Sequence, residues 1–118
     1  MNTILVVDDD PGITRLIRLV LEAKSYTVLS TNRPEDGLEL LSKEQPSLVV
    51  LDLVMPGMDG RTFYRMARAT GYNQPVLIIS ATDAHGARRE LGADASLEKP
   101  FDPEVLAQQV EDLLPIAS

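Results

Sequence analysis

The chain has 118 residues, no cysteine and a formal net charge of −7. That length suits one domain with one core, and the missing thiols exclude disulfides, thiolate metal sites and cysteine nucleophiles. The acidic balance argues against direct nucleic-acid binding, which needs Lys/Arg patches; no apolar run approaches the ~20 residues that span a bilayer, and no basic n-region opens the chain, so a cytoplasmic protein without membrane contact is expected.

Strand and helix signals alternate along the whole sequence. A first strand is predicted at about Thr3 to Val7 and runs into Asp8-Asp9-Asp10. Asp10 is an N-cap candidate, with Pro11 at the first helical position. The stripe Ile13, Leu16, Ile17, Val20 and Leu21 has helical spacing. A short strand is predicted near Val28 to Thr31, and Pro34 opens a helix carrying Leu38 and Leu41 inward. The third strand, Leu48 to Asp52, is a continuous apolar run ending on an acid, as expected of a strand buried on both faces of a parallel sheet. A third helix is expected from Asp59 or Gly60, with Phe63, Met66 and Ala67 inward. Val76 to Ser80 reads as a fourth strand, Asp83 to Leu91 as a short helix, and Ala95 to Glu98 as a weak fifth strand. Asp102-Pro103 opens a last helix that buries Val105, Leu106, Val110, Leu113 and Leu114.

Such alternation implies an α/β fold, a doubly wound five-stranded parallel sheet with helices on both faces. The most apolar strands (first, third and fourth) belong in the middle, which gives the flavodoxin-like order 2-1-3-4-5. Its switch point lies between strands 1 and 3, where such sheets bind ligands at the carboxyl ends of the strands. Asp8, Asp9 and Asp52 all fall there. Adjacent Asp8 and Asp9 can share a pocket only if the chain turns after the strand, and Asp10-Pro11 supplies that turn. Three close carboxylates raise one another's pKa. A hard cation relieves this, and an oxygen-only donor set favours Mg²⁺. Ser80, at the end of strand 4, and Lys99, before Pro100, are expected at the same sheet edge. Asp10 and Asp102 are read as helix caps.

ILVVDDDP, LDLVMPGMDG, IISA and GAD followed by KPF occur in one order along the chain. Together they resemble the receiver domain of two-component response regulators, over essentially all 118 residues. The resemblance implies a single receiver domain over 1–118 with no output domain in this chain. Asp52 matches the phospho-acceptor, a carboxylate nucleophile. Asp9 matches the direct Mg²⁺ ligand, Asp8 the acid that holds the metal through water, and the Val54 backbone carbonyl the third protein ligand. Lys99 matches the lysine that pairs with the phosphoryl oxygens, and Ser80 the switch hydroxyl. The implied role is signalling rather than enzymatic. A sensor histidine kinase or phosphotransfer protein would donate to Asp52, and an unidentified protein would read the result. The resemblance also implies a cis Lys99–Pro100 peptide.

Two departures stand out. Ser96 occupies a slot that is usually aromatic, and the interval from Ser80 to Gly92 is short by roughly three residues, close to one helical turn. The usual output face, built on helix 4 and strand 5, is therefore expected to be altered. Phosphorylation is expected to leave the domain monomeric and to act on the loops near Met55 to Asp59 and Ala81 to Gly86. Two rival readings are weighed: a metal-dependent phosphatase with Asp52 as nucleophile, and an interaction module that keeps the fold but is not phosphorylated. The first would want an acid where Val54 stands. The second would have lost an acid or the lysine. A flavin-binding domain would want a Ser/Thr/Gly-rich loop in place of DDDPG.

Overall fold

A computed structural model describes residues 2–114. Strands β1 (Thr3–Val7), β2 (Thr27–Thr31), β3 (Leu48–Asp52), β4 (Val76–Ser80) and β5 (Ala95–Glu98) alternate with helices α1 (Pro11–Glu22), α2 (Pro34–Glu44), α3 (Gly60–Ala69), α4 (Ala84–Leu91) and α5 (Pro103–Leu113). The strands form one parallel sheet in the order β2-β1-β3-β4-β5. This is the expected doubly wound flavodoxin-like sheet.

Every residue of β3 and β4 is buried, because helices cover both sheet faces. Alternate strand positions feed two separate cores. Leu5, Val7, Val49, Leu51 and Ile78 pack with Leu41, Phe63, Tyr64, Ala67 and Ala87, which places α2, α3 and α4 on one face. Ile4, Val6, Val50, Leu77 and Ile79 pack with Ile17, Leu21, Leu106, Ala107 and Val110, which places α1 and α5 on the other.

The ends of the helices follow local chemistry. The Asp10 carboxylate caps α1 by accepting from the N–H groups of Gly12 and Ile13 at 2.8 and 3.3 Å. Asp102 caps α5 through the Glu104 N–H at 2.9 Å. Asp59 caps α3 through the Thr62 N–H at 2.8 Å. Helix α4 begins one residue later than expected, with Asp83 as its cap in the left-handed region at φ 47°.

Three apolar assignments need correction. Leu16, Met66 and Val105 are exposed, at 37%, 42% and 45%. On α3 the buried line is Gly60, Phe63, Tyr64 and Ala67, so Tyr64 takes the place given to Met66. On α5 the buried residues are Leu106, Ala107 and Val110, and Val105 is rotated about 100° out of that line. β2 begins at Thr27, one residue before the predicted start.

Candidate phosphoryl-acceptor site

The acidic cluster arises because β1 stops at Val7 and the chain turns at once. The Asp8 N–H still donates to the Thr31 carbonyl at 3.2 Å, keeping it on the sheet. The Asp8 Oδ1 then accepts from the Asp10 N–H at 2.8 Å, which bends the backbone toward α1. Asp8 is buried and Asp9 exposed, yet both side chains stay at the same edge. Asp52 ends the neighbouring strand and is 3% exposed. Carboxylate oxygens of Asp8, Asp9 and Asp52 all lie within 4.8 Å of one another.

Lys99 comes over from the end of β5. Its Nζ stands 3.0 Å from Asp8 Oδ2 and 3.4 Å from Asp52 Oδ1. The Lys99–Pro100 peptide is cis. Ser80 is fully buried one residue beyond Ile79, the register partner of Asp52. Its hydroxyl accepts from the Thr82 N–H at 3.2 Å, and its carbonyl accepts from the Lys99 N–H at 2.8 Å. Val54 is an exposed residue whose N–H donates to Asp52 Oδ1 at 3.4 Å.

Burial raises the Asp52 carboxyl to about 6, and the charge of Asp8 adds to the rise, while Lys99 and the Val54 N–H oppose both. Burial pulls the Lys99 ammonium down, but its contacts with Asp8 and Asp52 outweigh this and leave its pKa above the ordinary value. Lys99 is thus cationic, and it offsets only part of the repulsion between two buried acids.

The residues fit a hard cation. The Asp8 Oδ2 is buried, with the Lys99 ammonium 3.0 Å away. A donor set of carboxylate oxygens alone suits Mg²⁺. A magnesium ion held by Asp8, Asp9 and Asp52 would supply the positive charge that one lysine does not.

A profile of the response regulator receiver domain matches residues 4–111. The chain belongs to this family. It is similar to the response regulator MprA of Mycobacterium leprae (strain TN), at 36% identity over 114 residues, covering 94% of this receiver chain and 50% of that protein. The same-named protein of Mycobacterium ulcerans (strain Agy99) is 37% identical, with 94% and 49% covered. The receiver chain therefore spans about half the length of the curated relatives it matches. Among solved structures, the beryllofluoride-activated N-terminal receiver domain of Klebsiella pneumoniae RstA superposes with a TM-score of 0.88 at 30% identity, covering 98% of this chain and 100% of that one. A response regulator from Chloroflexus aurantiacus J-10-fl gives 0.87 at 32% identity, with 95% and 96% covered.

Two contributors to this receiver's site escape a reading of the sequence alone. Thr82 engages the Ser80 hydroxyl through its backbone N–H, which no side-chain pattern reveals. Gly60 lies so close beneath Asp52 that a Cβ there would overlap the Asp52 carbonyl oxygen and the Leu53 Cα. The PGMDG loop announces a turn, but not this approach.

Proposed function

We propose that this receiver domain accepts a phosphoryl group on Asp52 in a Mg²⁺-dependent reaction and thereby changes its affinity for a protein partner. The observation that carries the reading is the convergence of Asp8, Asp9 and Asp52 within 4.8 Å, with the Lys99 ammonium on two of them. A donor of this chemistry is a phosphohistidine on a sensor kinase or phosphotransfer protein. An Asp52 carboxylate oxygen attacks phosphorus as the P–N bond breaks. The electron pair leaves with the donor imidazole, which takes up a proton. Such a transfer needs positioning and charge neutralisation more than covalent help.

Each residue has a task in that reaction. Lys99 meets the incoming phosphoryl oxygens as a compact charge. Asp8, Asp9 and Asp52 would hold the metal, with the Val54 carbonyl as a further ligand. Ser80 exchanges its bond to the Thr82 N–H for one to the phosphoryl group. A groove bounded by Thr14, Arg15 and Arg18 of α1 and by Ser30 to Asn32 opens beside Asp8.

The site supports a signalling module over a turnover phosphatase. Two residues after Asp52 stands Val54, which cannot act as a general acid toward a leaving group. No helix among the described residues is long and apolar enough to cross a membrane, and we place the receiver in the cytoplasm, where phosphohistidine donors act.

The test is direct. The chain is incubated with Mg²⁺ and acetyl phosphate, and the adduct is mapped by mass spectrometry. A single phosphoryl group on Asp52, absent without Mg²⁺ and absent in Asp52→Ala, is expected. An adduct on another residue, or one that persists in Asp52→Ala, refutes the assignment.

A further inference from the structure

Helix α4 is held by little apolar surface. Its buried residues are Ala84 and Ala87, and Leu91 packs only partly against the core. Alanine offers a single methyl, so hydrophobic burial anchors this helix weakly. Its remaining links are polar. At the C-terminal end Glu90 pairs with Arg61 and Arg65 of α3 at 3.3 and 3.2 Å, through half-exposed side chains that contribute little.

The N-terminal end is different. His85, the only histidine of the chain, places its Nδ1 2.6 Å from the Oγ of Ser96 on β5. Ser96 is buried, and it is the residue in the slot expected to be aromatic. The other ring nitrogen, Nε2, lies 3.9 Å from Glu98 Oε1. Ser96 and Glu98 are two apart on one strand, so both face α4. A neutral imidazole donates through one nitrogen and accepts through the other. At 2.6 Å the Ser96 hydroxyl bonds Nδ1 in either tautomer, as donor or as acceptor.

This bond leads straight to the acceptor site. Glu98 is the register partner of Ser80. The next residue, Lys99, donates its N–H to the Ser80 carbonyl at 2.8 Å and its side chain reaches Asp8 and Asp52. The Ser80–Lys99 strand end is thus joined through Glu98 and Ser96 to the ring.

We propose that His85 is the positioning residue that couples α4 to the phosphorylation site, its hydrogen bond to Ser96 latching the first turn of α4 onto β5. The coupling rests on Asp52 being the acceptor.

Hydrogen exchange over residues 82–92 tests this in the full chain, with and without Mg²⁺ and beryllofluoride. The wild type is compared with His85→Ala and His85→Asn, and acetyl phosphate labelling of Asp52 is checked in each. Loss of the latch should speed α4 exchange in His85→Ala roughly two- to tenfold, the worth of one partly buried hydrogen bond. Alanine is the better helix former, so propensity alone would act the other way. The beryllofluoride-induced change in α4 should also flatten in His85→Ala. Asparagine carries a polar atom where Nδ1 stood, and should restore both behaviours. Wild-type exchange in His85→Ala with Asp52 labelled, or fast exchange that asparagine does not restore, overturns the latch alone. No label on Asp52 in the wild type overturns the acceptor reading and the coupling with it.

Discussion

The Lys99 ammonium sits between two buried carboxylates, 3.0 Å from Asp8 and 3.4 Å from Asp52. One cation thus serves two acids, and removing it leaves both facing each other. Lys99→Met keeps the length of the side chain and deletes the charge. Breaking a buried ion pair from one side is strongly destabilising. We expect the metal-free receiver to lose about 3 kcal/mol at pH 7.5, measured by urea denaturation. Millimolar Mg²⁺ should recover much of this, because it replaces the missing charge. An unchanged midpoint in metal-free buffer would show that the pair contributes nothing.

Asp52 has the opposite effect on stability. Its pKa is raised from 3.8 to about 6 in the folded receiver, chiefly by burial. The unfolded chain therefore ionises this group more readily than the folded one does. No cost arises below 3.8, the cost grows as pH rises, and it is complete above about 6. Asp52→Asn should stabilise the metal-free protein at pH 7.5 by roughly 1–3 kcal/mol, since each tenfold loss of acidity on folding is worth about 1.4 kcal/mol. The advantage should disappear by pH 3.5. Paired thermal melts across pH 3.5 to 7.5 measure it, and an asparagine variant less stable than wild type at pH 7.5 would contradict the electrostatic account.

The sheet was legible because its strands announce themselves. Ile4 to Val7, Leu48 to Leu51 and Val76 to Ile79 are unbroken apolar runs that only two-sided burial explains. The acids were legible for a related reason: an apolar run ending on Asp52 or Asp8 marks a sheet edge. Helix faces were less clear. Leu16, Met66 and Val105 fit a helical stripe by spacing but lie at its margin, where neighbouring residues decide burial. The His85–Ser96 bond had no sequence signal, because a histidine and a serine 11 apart mean nothing until α4 folds back on β5. The left-handed Asp83 was equally hidden, since aspartate caps ordinarily adopt extended backbone.

Asp59 caps α3 at the end of the loop that follows Asp52. Its carboxylate accepts from the Thr62 N–H, and this bond holds its pKa below the ordinary value of 3.8. A depressed pKa means stability that is present above 3.8 and lost as pH falls through the lower folded value. Asp59→Ala should cost about 1 kcal/mol at pH 7, as loss of a helix cap does. Asp59→Asn keeps a neutral acceptor and should recover most of that. The wild type should begin to converge on Asp59→Asn as pH falls below 3.8. A wild-type advantage that does not shrink at all below 3.8 would mean the charge is not the cause.

Gly60 joins the same cap to the acceptor strand. Its N–H donates to the Leu53 carbonyl at 2.9 Å, and the first turn of α3 rests against the Asp52 backbone. A Cβ at position 60 would overlap the Asp52 carbonyl oxygen and the Leu53 Cα, both backbone atoms that cannot swing aside. The smallest substitution, Gly60→Ala, must push α3 away from the strand or drag the end of β3 with it. Overpacking of this kind costs about 1–3 kcal/mol. The second consequence is functional, because the Val54 N–H bond to Asp52 lies on the displaced segment. The rate of acetyl phosphate labelling at saturating Mg²⁺ should fall roughly tenfold or more, since about 1 Å of misplacement is enough to slow a positioned reaction a hundredfold. Gly12→Ala is the control: its Cβ would meet only the Asp10 side chain, at 3.2 Å, and α1 can accommodate it. Gly60→Ala labelling as fast as Gly12→Ala would show that the acceptor tolerates movement of α3.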